Sequence, residues 1–191
     1  MRPIRLFPRS LLLGVAFAAV CAVSAHAGLP VGKQVAVAVR ALAYDRTLKA
    51  RVGPHLDVLV VHDGTAVATR AAADVEQGLA ALSGVVVQGA TMQASVVAIV
   101  DHNALKAALD ARAPDAIWVC GSATLADAAI AEARGRHLTT ITVELALLES
   151  GIMVAVDGSG DKPKLIVHLG EARAAGLDFA ADLLKLARVI R

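Results

Sequence analysis

Two short polar segments could hold a ligand, because each follows an apolar run and precedes a helical pattern. One begins after Val61 and the other after Cys120. In an open parallel sheet the loops at the carboxyl ends of the strands converge on a crevice, where helix N-termini can receive an anionic group. The alternative is that Asp63 and Ser122 only cap the helices that follow, and both interpretations stay open. The ligand-binding candidates are His62, Asp63, Gly64, Thr65, Gly121, Ser122 and Thr124.

Metal ligation and catalysis need residue clusters that the sequence does not contain. No two histidines form H-x-x-x-H or H-E-x-x-H, and none clusters with cysteine. Ser122 lacks the G-x-S-x-G context of a nucleophile elbow, and Gly158-Ser159-Gly160 reads as a turn between two strands. We therefore expect no catalytic residue, no metal and no cofactor. The histidines outside the first 27 residues are His55, His62, His102, His137 and His168.

The first 27 residues have the pattern of a secretory signal peptide. A basic region with three arginines precedes the apolar run at residues 11–23, and Ala25-His26-Ala27 has the small-x-small form of a cleavage site. We predict cleavage after Ala27. A membrane anchor would need about 20 apolar residues. A lipoprotein signal is the other alternative, but Val20 precedes Cys21 where such signals have a smaller residue.

Cysteine usage predicts a reduced, buried thiol. Cys21 would leave with the signal peptide, so Cys120 has no partner for an intramolecular disulfide. It ends the apolar run Ala116-Ile117-Trp118-Val119, which is typical of a buried strand. A buried thiol is inert. A nucleophilic role would need a neighbouring base, and the local sequence shows none.

Charge and composition argue against nucleic acid as a partner. The chain has a formal charge of +2, but removal of Arg2, Arg5 and Arg9 leaves 16 basic and 17 acidic side chains. No basic run remains to bind phosphates, and aromatic residues make up only 3% of the chain, so few could stack on bases. Residues 28–191 contain no Ser/Pro-rich linker and are predicted to form a single domain.

Alternating helical and strand patterns predict a three-layer α/β fold with a mostly parallel sheet. Helical spacing of apolar residues indicates the helices, and β-branched runs bounded by turn residues indicate strands buried on both faces. Asp45 is placed to pair with Lys49, one turn on. The predicted helices span residues 31–49, 65–82, 103–113 and 124–134, and the predicted strands span residues 56–61, 84–92, 115–120 and 138–145.

The last forty residues predict a different arrangement, an antiparallel hairpin and a closing helix. Strand-like runs at residues 152–157 and 164–168 are joined by a turn cluster. Asp178 is a good helix N-cap, and the helix after it should lie on the core and cover the sheet edge. Its predicted apolar stripe is Phe179, Leu183, Leu186, Ala187 and Ile190.

These carboxyl-terminal residues resemble a known family. Gly151-Ile152-Met153, the hairpin, and the segment LIVHLGEARAAGLDFAADLLKLARVI are similar to the carboxyl-terminal signature of the YfiR-like periplasmic proteins. Leu42-Ala43-Tyr44-Asp45 lies where that family has its opening helix. The chain departs from the pattern at His168, Gly170, Asp178 and Ala180, and is identified as a divergent member.

The resemblance implies a non-catalytic periplasmic regulator. The best-known members bind the periplasmic domain of a membrane-bound diguanylate cyclase and repress it, and so act on cyclic-di-GMP signalling. The expected partner is therefore the periplasmic part of a membrane signalling protein, such as a diguanylate cyclase or a sensor kinase. The alternative function is a small-solute binding protein accessory to a transport system. A small-molecule ligand and a homodimer stay open as further partners.

Overall fold

The computed structural model describes residues 28–191, and the predicted signal peptide at residues 1–27 lies outside them. The strands are β1 (His55–His62), β2 (Val86–Val87), β3 (Ala90–Ala98), β4 (Ala116–Cys120), β5 (Thr139–Thr142), β6 (Val154–Asp157), β7 (Lys164–His168) and β8 (Arg188–Ile190). The helices are α1 (Val31–Leu42), α2 (Leu48–Arg51), α3 (Ala66–Ala80), α4 (His102–Arg112), α5 (Ala123–Arg136), α6 (Leu169–Ala174) and α7 (Ala181–Leu186). A 3-10 helix spans Leu145–Leu148.

The described residues build one eight-stranded sheet in the order β2-β3-β1-β4-β5-β6-β7-β8. Strands β3, β1, β4, β5 and β6 run parallel. The predicted hairpin is confirmed, since β7 pairs antiparallel with β6. The mostly parallel α/β fold with its carboxyl-terminal hairpin and helix is thus the predicted class.

Right-handed crossovers decide which face of the sheet each helix covers. The connection from β1 through α3 to β3 runs one way along the sheet, whereas those through α4 and α5 run the other way. Right-handedness therefore places α3 on one face and α4 with α5 on the other. On the α3 face α1 packs against α3 and β6. The core between these layers is apolar, and Trp118 in β4 is its largest fully buried side chain.

Two predicted strands are shorter or displaced in the structure. The strand predicted at residues 84–92 is replaced by the tight β2–β3 hairpin, which turns at Gln88 (φ 50°) and Gly89 (φ 99°). Glycine at the second turn position permits this left-handed backbone. The strand predicted at residues 138–145 ends at Thr142, because the chain then enters the 3-10 helix.

The closing helix is also shorter than its apolar spacing predicts. α7 begins after Ala180 and ends at Leu186, and the chain then becomes extended to pair as β8 parallel to β7. β-branched Val189 and Ile190 favour a strand at this position. β8, and not a helix, therefore forms this edge of the sheet. Leu183 is buried as predicted, whereas Leu186 is 76% exposed.

Asp178 does not cap α7. Its carbonyl accepts the backbone N–H of Arg46, and its neighbour Phe179 forms a β-bridge with Asp45. The predicted first helix likewise stops at Leu42, and Asp45 pairs with Arg51 instead of Lys49. The predicted cap at Asp178 and the predicted helical pair of Asp45 are therefore both replaced by one tertiary contact, which joins the end of α1 to the carboxyl-terminal segment.

Candidate functional site

The candidate site lies where the strand order reverses. The chain crosses from β1 to β3, which lies on one side of β1 in the sheet. The next crossover leads to β4, which lies on the other side of β1. Such a switch point leaves a crevice outside the carboxyl ends of the two central strands. Here His62 of β1 is the register partner of Cys120 of β4. The structure therefore brings together the two segments that the sequence singles out.

Asp63 connects the two segments. Its Oδ1 accepts hydrogen bonds from the backbone N–H of Thr65 at 3.1 Å and from the Thr65 hydroxyl at 2.8 Å. The hydrogen bond from the Thr65 hydroxyl is the main cause that lowers the pKa of Asp63, so this carboxyl stays ionised. Gly121 lies against the other oxygen, and a Cβ at this position would be 2.7 Å from Asp63 Oδ2. Glycine is needed there both because of this close approach and because its φ is +123°.

Glu144 is a third member that the sequence did not single out. Its Oε1 accepts the backbone N–H of Gly121 at 3.2 Å. Burial is the main cause that raises the pKa of Glu144, and the charge of Asp63 raises it further. The available signal was its position just beyond β5, which is the next parallel strand after β4. Thr142 Oγ1 helps fix it by accepting the Glu144 N–H at 3.0 Å.

His62 is a buried histidine with local partners. The residue is only 8% exposed, and its Nδ1 accepts the N–H of Gly64 at 3.3 Å. The hydroxyl of Thr69, on the first turn of α3, lies 3.3 Å from the same nitrogen. The ring therefore joins the β1 loop to α3. Gly64 (φ 79°) makes the turn between them.

Each helix N-terminus at this edge is capped by the protein itself. Thr65 accepts the N–H of Ala68 at 3.2 Å, Asp101 that of Ala104 at 2.7 Å, and Ser122 that of Leu125 at 3.4 Å. The capping role predicted for Ser122 is confirmed. For α3 the cap is Thr65, and Asp63 instead holds Thr65 in place. Self-capping leaves fewer backbone donors for a bound anion.

A cleft of about 460 Å³ opens between the loop after β1, the loop after β3 and helix α5. Of the predicted residues, Asp63, Ser122 and Thr124 line it, whereas His62, Gly64, Thr65 and Gly121 are not among the lining residues. The lining contains carboxylates and no lysine or arginine, so it repels an anionic group and suits an amine or a neutral polar solute. The complete lining is Asp63, Ile99, Val100, Asp101, His102, Ser122, Thr124, Leu125, Asp127, Ala128 and Ala131.

Cys120, the last residue of β4, has a fully buried side chain. Burial, aided by the charge of Glu144, raises the pKa of its thiol to about 12. A thiol with so high a pKa stays protonated at neutral pH and is a poor nucleophile. The buried-strand interpretation of this cysteine is therefore confirmed by its position in β4.

The other histidines have separate partners. His55 Nδ1 lies 2.8 Å from the Thr91 hydroxyl, His102 Nε2 lies 2.9 Å from Glu132 Oε1, and His137 Nδ1 lies 2.8 Å from the Ala175 carbonyl oxygen. His168 Nδ1 accepts the N–H of Glu171 at 3.4 Å. Among residues 28–191, no three His, Cys, Asp or Glu side chains are grouped to hold a metal ion. None of the helices in this range has the length and apolarity to cross a membrane.

Comparison with solved structures finds two proteins of similar fold. The ABC domain from Streptococcus pneumonia, solved in complex with L-Trp, superposes with a TM-score of 0.53 at 15% identity, over 85% of this chain and 60% of that one. A conserved domain protein from Vibrio cholerae gives a TM-score of 0.50 at 13% identity, over 71% of this chain and 55% of that one. At such low identity these likenesses concern the fold alone. The chain covers little more than half the length of either protein.

Comparison of the sequence with family models and with curated proteins identifies the family of the chain. The search of curated proteins found no match. Residues 73–188, however, match the model of the family described as DUF4154, YfiR/HmsC-like. The matched range begins in α3 and ends in β8, so it includes the β4 half of the candidate site and the carboxyl-terminal hairpin. The chain therefore belongs to the YfiR/HmsC-like family.

Proposed function

We propose that this protein is a non-catalytic periplasmic regulator that binds the periplasmic part of a membrane signalling protein, such as a diguanylate cyclase or a sensor kinase. Membership of the YfiR/HmsC-like family is the observation that carries the proposal. The family is periplasmic, and the amino-terminal pattern predicts export to the same compartment.

The arrangement of polar groups at the cleft supports a non-catalytic role. A nucleophile needs an adjacent base within hydrogen-bond reach. The thiol of Cys120 is buried and protonated, and the hydroxyl of Ser122 caps α5. His62 makes its contacts within its own loop and α3. These side chains stabilise the loops at the carboxyl ends of the parallel strands and do not form a nucleophile–base pair.

The carboxyl ends of the parallel strands also present apolar side chains to solvent. Val67 follows β1 and is 82% exposed, Val100 follows β3 and is 87% exposed, and Leu145 follows β5 and is 39% exposed. Exposed apolar groups rimmed by polar residues are typical of protein contact surfaces. We assign partner binding to this carboxyl-end surface, defined by Val67, Val100 and Leu145 around the acidic cleft.

The test is binding to the periplasmic domain of the membrane protein encoded beside this one, measured by biolayer interferometry. Val100→Asp places a charge on the surface and should abolish binding. Leu186→Asp, which changes another largely exposed apolar residue, on α7, is the matched control and should bind like the unmodified protein. Equal binding by both variants would reject the surface. Absence of binding by the unmodified protein would reject this signalling partner.

A second function, solute binding, is favoured by the cleft itself. Its volume of about 460 Å³ is sufficient for a small metabolite. One of the proteins of similar fold is a domain solved in complex with L-Trp, a solute that carries an amino group and an apolar body. The cleft matches the amino group and the apolar body of such a solute but not its carboxylate, because carboxylates lie beside Ile99 and Leu125 and no lysine or arginine lines the cleft.

A thermal-shift screen of amino acids and amines tests the solute proposal. A true ligand should raise the Tm, and Asp127→Asn should reduce that rise because Asp127 lines the cleft. Asp74→Asn, on the exposed side of α3, is the matched control and should leave it unchanged. A panel without any stabilising solute would count against this second function and leave the signalling proposal to its own test.

A further inference from the structure

Two carboxylates approach Gly121 from the strands on either side of β4. Asp63 follows β1 and Glu144 follows β5, and these two strands flank β4 in the sheet. Glu144 Oε1 accepts the N–H of Gly121 at 3.2 Å. Asp63 Oδ2 lies against the same residue, since a Cβ there would be 2.7 Å from it. One glycine therefore separates two acidic side chains that belong to different loops.

The surroundings of the two carboxylates decide which of them holds a proton. Asp63 accepts two hydrogen bonds from Thr65, and these favour its ionised form. Glu144 is half-buried, and within residues 28–191 its carboxylate accepts a single hydrogen bond, from Gly121. Burial and the negative charge of Asp63 both raise the pKa of Glu144. In mildly acidic solution the proton therefore resides on Glu144 and the charge on Asp63.

No cation among the described residues offsets the charge of Glu144. The 3-10 helix that begins after it packs against α5 and β6. Asp63 is nevertheless the charged group that acts on the Glu144 carboxyl, and it acts by repulsion. When both groups are ionised, two like charges therefore face each other across Gly121. The other titratable groups on the neighbouring elements are His62 on β1, Cys120 on β4, Asp127, Glu132, Arg134 and Arg136 on α5, Glu149 after the 3-10 helix and Asp157 on β6.

Each carboxylate is connected to an exposed apolar residue of the carboxyl-end surface. Asp63 holds Thr65, which caps α3, and Val67 lies on the first turn of that helix. Glu144 directly precedes Leu145, and its carbonyl accepts the N–H of Leu147, so that the two leucines belong to the same turn. A change in the separation of the two carboxylates would therefore move Leu145 relative to Val67.

We propose that Asp63 and Glu144 form a pH switch that controls the carboxyl-end surface. In acid Glu144 is uncharged, and Leu145 keeps the position described above. As the pH rises and Glu144 ionises, repulsion between the like charges moves the segment after β5 away from Asp63. The surface then loses the arrangement of Val67 and Leu145 that the partner binds. This consequence for binding rests on the proposed function, whereas the movement of the segment does not.

Hydrogen–deuterium exchange of the protein exported and purified from the periplasm tests the movement without a partner. After correction for the chemical exchange rate, the amides of residues 144–148 should exchange on the order of tenfold faster at pH 7 than at pH 4.5. Glu144→Gln keeps an acceptor for Gly121 but cannot ionise, so its exchange should be alike at both values. Glu149→Gln makes the same change at an exposed glutamate and should keep the pH response. Unmodified protein without this response, or an equal response in Glu144→Gln, would overturn the switch.

Biolayer interferometry with the periplasmic domain of the membrane protein encoded beside this one tests the consequence for binding. Glu144→Gln should bind on the order of tenfold more tightly than the unmodified protein at pH 7 and equally tightly at pH 4.5. The titration of the partner is common to both proteins, so the ratio of the two affinities isolates Glu144. A ratio that does not change with pH would contradict control of the surface by this residue. Absence of binding by both proteins at both pH values would instead reject the signalling partner, and the exchange measurement would still decide the switch.

Discussion

The carboxylate of Asp45 is completely buried and accepts a hydrogen bond of 2.6 Å from the guanidinium of Arg51. The same carboxylate accepts the hydroxyl of Thr47 at 2.7 Å and the backbone N–H of Asp178 at 3.3 Å. Arg51 also donates to the carbonyl of His137 at 2.6 Å. One ion pair thus joins the end of α1, the end of α5 and the carboxyl-terminal segment.

Asp45→Asn should lower the free energy of unfolding by about 2–4 kcal/mol, because it leaves the charge of Arg51 largely buried without its partner. Urea unfolding at pH 7, followed by circular dichroism, measures the change. Asp74→Asn is the matched control on the exposed face of α3 and should stay within about 0.5 kcal/mol of the unmodified protein. A small change at Asp45 would mean that solvent or another group compensates Arg51.

Gly121→Ala should destabilise the protein by about 1–3 kcal/mol, since a residue with a Cβ is strained at φ +123°. The new Cβ would also press on the Asp63 carboxylate, 2.7 Å away. Gly135→Ala in α5 is the control, because no atom lies within 4 Å of the added Cβ. It should raise stability by up to about 1 kcal/mol through helix propensity. Similar thermal unfolding of the two variants would contradict the strained turn.

The central part of the fold could be predicted because local pattern and tertiary packing agree there. The local pattern of the apolar run before Cys120 predicts a strand, and in the structure the run forms β4 between β1 and β5. The convergence of the His62 and Gly121 loops followed from the parallel crossovers alone. Their detailed roles did not, since only the folded chain shows that Asp63 bonds to Thr65 and approaches Gly121.

Prediction fails where a distant contact overrides the local pattern. The helical spacing from Phe179 to Ile190 is genuine, yet pairing with β7 draws residues 188–190 into a strand. Asp45 has a helical partner in Lys49 by spacing, but Arg51 and the backbone of Asp178 bind it instead. Glu144 was missed for a similar reason, because its partner Gly121 is 23 positions away. Sequence spacing alone does not show which distant residue each of these groups contacts.

Leu183 and Leu186 provide a direct test of the shortened helix. A continuous closing helix would bury both, whereas in the structure Leu183 is 3% exposed and Leu186 is 76% exposed. Leu183→Ala should therefore cost about 2–4 kcal/mol of unfolding free energy. Leu186→Ala should cost no more than about 0.5 kcal/mol. Equal losses, measured by urea unfolding, would favour the continuous helix.

Glu144→Gln should change the pH dependence of stability, because burial and the charge of Asp63 raise the pKa of Glu144 above its ordinary value of 4.5. With a raised pKa the folded protein binds this proton more tightly than the unfolded chain does. The stabilisation from that proton is complete below pH 4.5 and is lost as the pH rises through the folded-state pKa. Glutamine cannot ionise and does not lose it. The variant should therefore gain stability relative to the unmodified protein as the pH rises from 4 to 7.

The difference in unfolding free energy between the two proteins, measured by urea unfolding at several pH values, isolates Glu144 from the other titrating groups. Asp63 has a lowered pKa and shifts the stability of both proteins in the opposite direction, so most of its contribution cancels in the difference. Glu149→Gln makes the same change at an exposed glutamate five residues further along the chain and is the matched control. A difference for Glu144→Gln that stays flat or falls toward neutral pH would mean that the carboxylate is better solvated or better paired in the folded protein than its contact with Gly121 indicates.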